Sequence, residues 1–114
     1  MPPGIEARFA RNPLECETVG LSYQRLGPNV RHPFAHRHER QEEVYVLLSG
    51  SARVKIDDDV VDLRPLDAVR VAKDATRQFE AGPDGAEFLA IGAPATGEMD
   101  AEIVPGWWCE EPGG

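Results

Sequence analysis

Long apolar runs are absent from this 114-residue chain, and so is any excess of positive charge. Nothing approaches the roughly 20 consecutive apolar residues that a membrane-spanning helix requires. Twelve Lys and Arg stand against 20 Asp and Glu, a formal charge of −8. Without a basic stripe to neutralise phosphates, neither nucleic acid nor an anionic membrane is an expected partner. Cysteine is equally scarce. Cys16 and Cys109 lie far apart and form no CxxC pair, and Met1-Pro2-Pro3-Gly4 lacks the apolar run of a signal peptide. The expectation is a soluble, cytoplasmic protein with two reduced thiols. The acidic excess concentrates late: Glu98, Asp100, Glu102, Glu110 and Glu111 fall after Ala93 with no basic residue among them.

Helical periodicity is missing too, apart from room for a single turn around Gly97–Ala101. Apolar residues instead recur at a spacing of two in short segments, punctuated by 11 glycines and 10 prolines. Strands are expected near Thr18–Leu26, Phe34–His38, Glu43–Leu48, Ala52–Ile56, Val60–Leu63, Ala68–Val71, Thr76–Glu80 and Ala86–Ile91. Eight short strands in a chain of this length make one all-β domain, a sandwich or barrel. Asp57-Asp58-Asp59 suits a hairpin turn, because short acidic side chains tolerate the left-handed backbone. Three adjacent carboxylates fall short of the oxygen number and spacing of a calcium loop.

The chemistry concentrates in His36-Arg37-His38 and Glu43. Two imidazoles two residues apart project to the same face of a strand. Glu43 follows at an odd offset from His38, so Glu39-Arg40-Gln41 must break the strand before Glu43 opens a second, antiparallel one. A cross-strand neighbour lies about 5 Å away between Cβ atoms, close enough for all three side chains to meet at one ion. Two histidines and a carboxylate form a set that suits a divalent transition metal with open coordination positions.

His36, His38, Glu43 and Gly50 at this spacing resemble the first motif of the cupin superfamily, with Val30 in place of its leading glycine. The second motif is traceable in Pro65-Leu66-Asp67 and Ala68-Val69-Arg70-Val71. There Asp74 replaces a glycine, and Arg77 replaces the histidine that would be a fourth ligand. The resemblance spans about residues 20–93. It implies a double-stranded β-helix (jelly-roll) barrel filling residues 1–114, a tail over 94–114 that packs on the barrel or a partner subunit, and a homodimer. It also implies a small-molecule ligand inside the barrel.

A guanidinium cannot ligate a cation, so a four-ligand centre is excluded. Two uses of the motif compete. In one, His36, His38 and Glu43 hold Fe, Mn, Ni or Zn. In the other no metal binds, and Arg77 pairs with Glu43 or grips an anionic ligand. A third reading is a non-catalytic cupin kept for assembly. Glu43 is a ligand under the first reading and the candidate general base without a metal; Tyr45 is the other catalytic candidate, as a residue that orients substrate. Tyr45 and Leu47 should face inward, with Val44, Val46 and Leu48 outward toward a second sheet or partner. Phe79 and Gln41 are further candidates for the ligand pocket, whereas His32, before Pro33, reads as a surface loop residue. Trp107-Trp108 must cover something, either as a pinned tail or with one indole, Trp107, capping the barrel mouth. Cys109 reads as a small buried hydrophobe.

Overall fold

A computed structural model describes residues 4–94 and 100–109, which form eight strands and no helix. They are β1 (Ile5–Phe9), β2 (Gly20–Leu26), β3 (Ala35–His38), β4 (Glu42–Ile56), β5 (Asp59–Leu63), β6 (Ala68–Val71), β7 (Arg77–Ala93) and β8 (Ala101–Val104). All ladders are antiparallel, in the order β1-β2-β7-β3-β8, and β4 pairs with β5, β6 and β7. Sequence periodicity locates the middle of this barrel well but differs from it in two respects. The segments expected at Glu43–Leu48 and Ala52–Ile56 are one strand, as are Thr76–Glu80 and Ala86–Ile91. The outer strands β1 and β8 are absent from the expected set, although Ile5-Glu6-Ala7-Arg8-Phe9 does alternate apolar and polar residues. The turn expected around Gly97–Ala101 falls largely outside the described residues, and Ala101 itself opens β8.

The two long strands pair along nearly their whole length, with register shifts at Leu47/Ser49 and Gly50/Ala52. Those bulges let one strand bend around the core without losing its inward face. Tyr45 and Leu47 point inward before the bend, and Ala52 and Val54 after it. They meet Leu26, Leu63, Val71, Phe79, Ala81, Ala86, Phe88 and Ala90 in one apolar cluster, where Phe79 stacks on Phe88 at 4.8 Å. Gly50 sits at the bend with φ +79°, and a Cβ there would lie 2.0 Å from the Gly85 carbonyl oxygen. The motif glycine is therefore required by backbone approach as well as by conformation.

Two departures from the family pattern preserve its backbone. Leu66 and Asp74, at positions where the resemblance implies glycine, have φ of +72° and +71°. The Leu66 amide donates to the Leu47 carbonyl at 2.6 Å, and that of Asp74 to the His38 carbonyl at 2.8 Å. The hairpin between β4 and β5 turns through Asp57 at φ +49°, as its acidic composition suggests.

Candidate functional site

β3 carries His36 and His38 on its inward side. His36 lies opposite Arg77 of β7 on one flank and Ile103 of β8 on the other. Glu43, near the start of β4, lies opposite Val71 and Gly92. Contrary to the expectation from their spacing, the histidines and the carboxylate are not cross-strand neighbours: β3 and β4 share no ladder, and each pairs with β7 instead. The side chains nonetheless converge. His36, His38 and Glu43 each offer a ligand atom, and these atoms all lie within 4.8 Å of one another. Nε2 of His38 is 3.0 Å and Nε2 of His36 3.6 Å from Oε1 of Glu43. The two imidazoles meet edge to face, 5.1 Å between centroids.

Behind Glu43 lies a wholly buried guanidinium. Arg77 donates from NH2 to Glu43 Oε1 at 3.1 Å, from Nε to the Tyr45 hydroxyl at 3.3 Å and from NH1 to the Ala75 carbonyl at 2.7 Å. Tyr45 donates its hydroxyl proton to the same carboxylate oxygen at 2.5 Å. Burial, and next the charge of Glu43, pushes the phenol well above its usual range, so it remains a donor. For Glu43, burial acts upward but is outweighed by hydrogen bonds with His36, His38 and Tyr45. The carboxyl is held far below its ordinary range and is ionised.

The site opens into a cavity of about 820 Å³. Its apolar wall includes Phe9, Leu21, Phe34 and Ile103, and its polar lining includes Arg11, Asn12, Ser22, Gln24 and Gln41. Gln41 is thus at the cavity, with its side chain folded over Gly92, where a Cβ would lie 2.5 Å from the Gln41 amide carbon. His32, expected on the surface, is a largely buried wall residue. Arg77, Tyr45 and Phe79 are not lining residues: the first two brace Glu43 from behind and Phe79 belongs to the core. The anion grip considered for Arg77 finds its three nitrogens engaged internally.

Trp107 does not cap the mouth. The Lys55 ammonium stands 4.6 Å from its ring, on the far part of β4. Trp108 is buried beneath the guanidinia of Arg31 and Arg53, at 4.1 and 5.2 Å. Indole faces attract cations, and three basic residues draw the tail to that side of the barrel. Cys109 is exposed rather than buried, its thiol 2.7 Å from the Gly106 carbonyl.

One site residue escapes sequence reasoning. Asp100 accepts hydrogen bonds from the backbone amides of Arg40 and Gln41 at 3.0 and 2.9 Å, and its carboxylate lies 3.6 Å from Nδ1 of His38. Burial would raise its pKa, yet those amides and His38 hold it below the usual value. Sixty residues separate it from its partners, and nothing marks it among the other acids of the tail.

A cupin domain family model matches residues 22–92 of this chain. Among solved structures, a cupin protein from Bacteroides fragilis is 29% identical with a TM-score of 0.74, covering 82% of this chain and 80% of that one. The nucleoside dehydratase Pac13 is 17% identical with a TM-score of 0.76, covering 90% and 79% respectively; a further Pac13 structure, from Streptomyces, contains uridine. An oxalate decarboxylase from Bacillus subtilis is 26% identical with a TM-score of 0.73, but the match takes in 82% of this chain and only 26% of that one. Among curated proteins none matches.

Proposed function

The chain belongs to the cupin domain family, and from the site it builds on that fold we propose that it holds a divalent transition metal through His36, His38 and Glu43 and binds or transforms a small polar molecule in the adjoining cavity. One observation carries this reading: three ligand atoms of the right chemistry lie within 4.8 Å of one another on the wall of a cavity of about 820 Å³. The donor set fits iron, manganese, nickel or zinc. When bound, such an ion supplies Lewis acidity, or redox chemistry, toward a carbonyl or hydroxyl of the ligand. The chain's own groups do the rest. Arg77 and Tyr45 fix the Glu43 carboxylate, the imidazoles face it, and Phe9, Phe34 and Ile103 supply apolar wall beside the polar groups that orient the ligand.

Elemental analysis of the protein as isolated, followed by zinc or nickel reloading of the stripped protein, tests the reading. About one equivalent is expected in the wild type and none in the His36→Ala/His38→Ala double variant. A stripped wild type that takes up no metal sinks it.

A specific feature favours a second reading. Oε1 of Glu43 already accepts from Tyr45 and Arg77, a buried network balanced without a metal. The imidazoles would then move protons on the ligand directly, and Glu43, whose depressed pKa makes it too weak for the general-base role considered for it, would orient them as an anion. Thermal stabilisation by a ligand that survives chelator would mark this case. To either reading we add a cytoplasmic location, in keeping with two free thiols, and a homodimer using outward apolar residues such as Leu48 and Ile91. Light scattering of the purified chain checks the dimer.

A further inference from the structure

His38 stands between two carboxylates that use its two ring nitrogens differently. Nε2 is 3.0 Å from Glu43 at the cavity, and Nδ1 is turned toward Asp100 at 3.6 Å. Nδ1 is buried and makes no hydrogen bond among the described residues. A buried ring nitrogen without a partner is costly, so the charge placed beside it decides which nitrogen holds the proton. Asp100 is well built for that task. Its side chain is only 7% exposed, its Oδ2 is tied to the Arg40 and Gln41 amides, and the next residue, Ala101, pairs with His38 in the β3–β8 ladder. The same carboxylate thereby also clamps the turn that carries the chain from His38 to Glu43.

We propose that Asp100 is a positioning residue for His38, holding the ring with its proton on Nδ1 so that Nε2 is presented to the cavity as an electron-pair donor. Nε2 lies 3.0 Å from Glu43 Oε1; without a metal the two share a proton, and with the other ring proton held on Nδ1 a cation can take that shared proton's place. A carboxylate behind a ligating histidine commonly fixes its tautomer and strengthens it as a donor. The inference rests on the metal reading for its consequence, but its claim about the ring stands by itself. Asp100 lies beyond the residues matched by the family model, which end at 92.

The simpler alternative is a turn cap without influence on the ring, and Asp100→Asn separates the two because the amide oxygen still caps the turn. Zinc affinity, measured by chelator competition on the full chain, is expected to fall by about 10-fold or more in Asp100→Asn, with a melting temperature close to wild type. Asp100→Ala should lose both affinity and stability. In nitrogen-15 spectra of the His38 ring, with and without zinc, Nδ1 should be protonated in the wild type and lose that proton in metal-free Asp100→Asn. Wild-type zinc affinity in Asp100→Asn together with an unchanged ring spectrum overturns the proposal. If the wild type takes up no zinc, the metal reading fails while the metal-free spectra still decide the role of Asp100. Should neither variant fold, the wild-type spectrum suffices, since an unprotonated Nδ1 overturns the proposal outright.

Discussion

Glu43 and Glu80 are both buried carboxylates served by arginine, yet they belong to opposite kinds of environment. Glu80 of β7 accepts hydrogen bonds from Arg53 Nε and NH2, at 3.2 and 2.9 Å, and from Arg31 Nε at 3.0 Å, with Arg31 NH2 in ion-pair contact at 2.8 Å. Trp108 lies over both guanidinia, and Arg31 NH1 also donates to the Trp108 carbonyl at 2.9 Å. That carboxylate meets two fixed cations and is closed off by an indole. Glu43 has one fixed cation and one phenol behind it, and two titratable imidazoles in front, facing a cavity. The difference shows that burial of an ion pair does not mark a functional site. What marks it is a face of exchangeable donors turned toward space a ligand can enter.

Removing each carboxylate should separate the two regions most sharply. Glu80→Ala leaves two guanidinia buried without their counter-charge and is expected to cost about 3–5 kcal/mol of stability, leaving zinc uptake by the folded fraction unchanged. Glu43→Gln keeps the shape and an acceptor for Arg77, so its cost should be nearer 1–3 kcal/mol, while metal uptake collapses. Denaturant melts and metal titration of both variants check the contrast. Equal stability losses, or retained metal in Glu43→Gln, would break it.

The tryptophans offer an intermediate effect. Trp108→Ala opens the seal over Arg31 and Arg53 and should destabilise by about 3 kcal/mol or more, again without touching the metal site. Trp107→Ala, which loses a partly exposed contact with Lys55, should shift the melt by about 1 kcal/mol at most. If Trp107→Ala instead weakens ligand or metal binding, the tail reaches the cavity after all.

The same contrast explains what sequence could and could not reveal. His36, His38, Glu43 and Gly50 are legible because they sit close together in the chain, at spacings dictated by a strand, a break and a bend. The alternation in β4 is legible because one face, with Tyr45, Leu47, Ala52 and Val54, is buried and apolar, whereas the first part of β7 buries both faces, Arg77, Gln78 and Glu80 included. Long strands are read as pairs of short ones because the bulges at Leu47/Ser49 and Gly50/Ala52 disturb the alternation without ending the ladder. Arg77 is recognisable as a departure from the ligand pattern, but whether it enters the cavity or backs Glu43 depends on which side of the carboxylate β7 passes. Asp100 and the Glu80 cluster join residues far apart in sequence, and neither Arg31 nor Arg53 differs from a surface arginine until Trp108 is laid across them.

The smallest expected effect is a pH dependence confined to the cavity side. His32 is largely buried, 3.1 Å through Nδ1 from the Phe34 carbonyl and edge-on to the Phe34 ring at 4.8 Å. Burial is the main cause holding its pKa below the usual 6.5; the Phe34 carbonyl opposes this, and the nearby His36 adds to it. The unfolded chain therefore takes up a proton near pH 6.5 that the folded chain refuses, and the folded state binds fewer protons in that window. Stability should decline on acidification from about pH 7.5 toward 5.5, in the opposite sense to a histidine that gains an anionic partner. Glu43 acts lower still: its depressed pKa adds stability that is full above 4.5 and is lost only as pH falls further. His32→Gln should flatten the upper window and leave the lower one intact, whereas Glu43→Gln should do the reverse. Melting curves of the three proteins across that range decide the point. If His32→Gln tracks the wild type between pH 7.5 and 5.5, the ring is already able to accept its proton in the fold, and the wall it forms must be open to water.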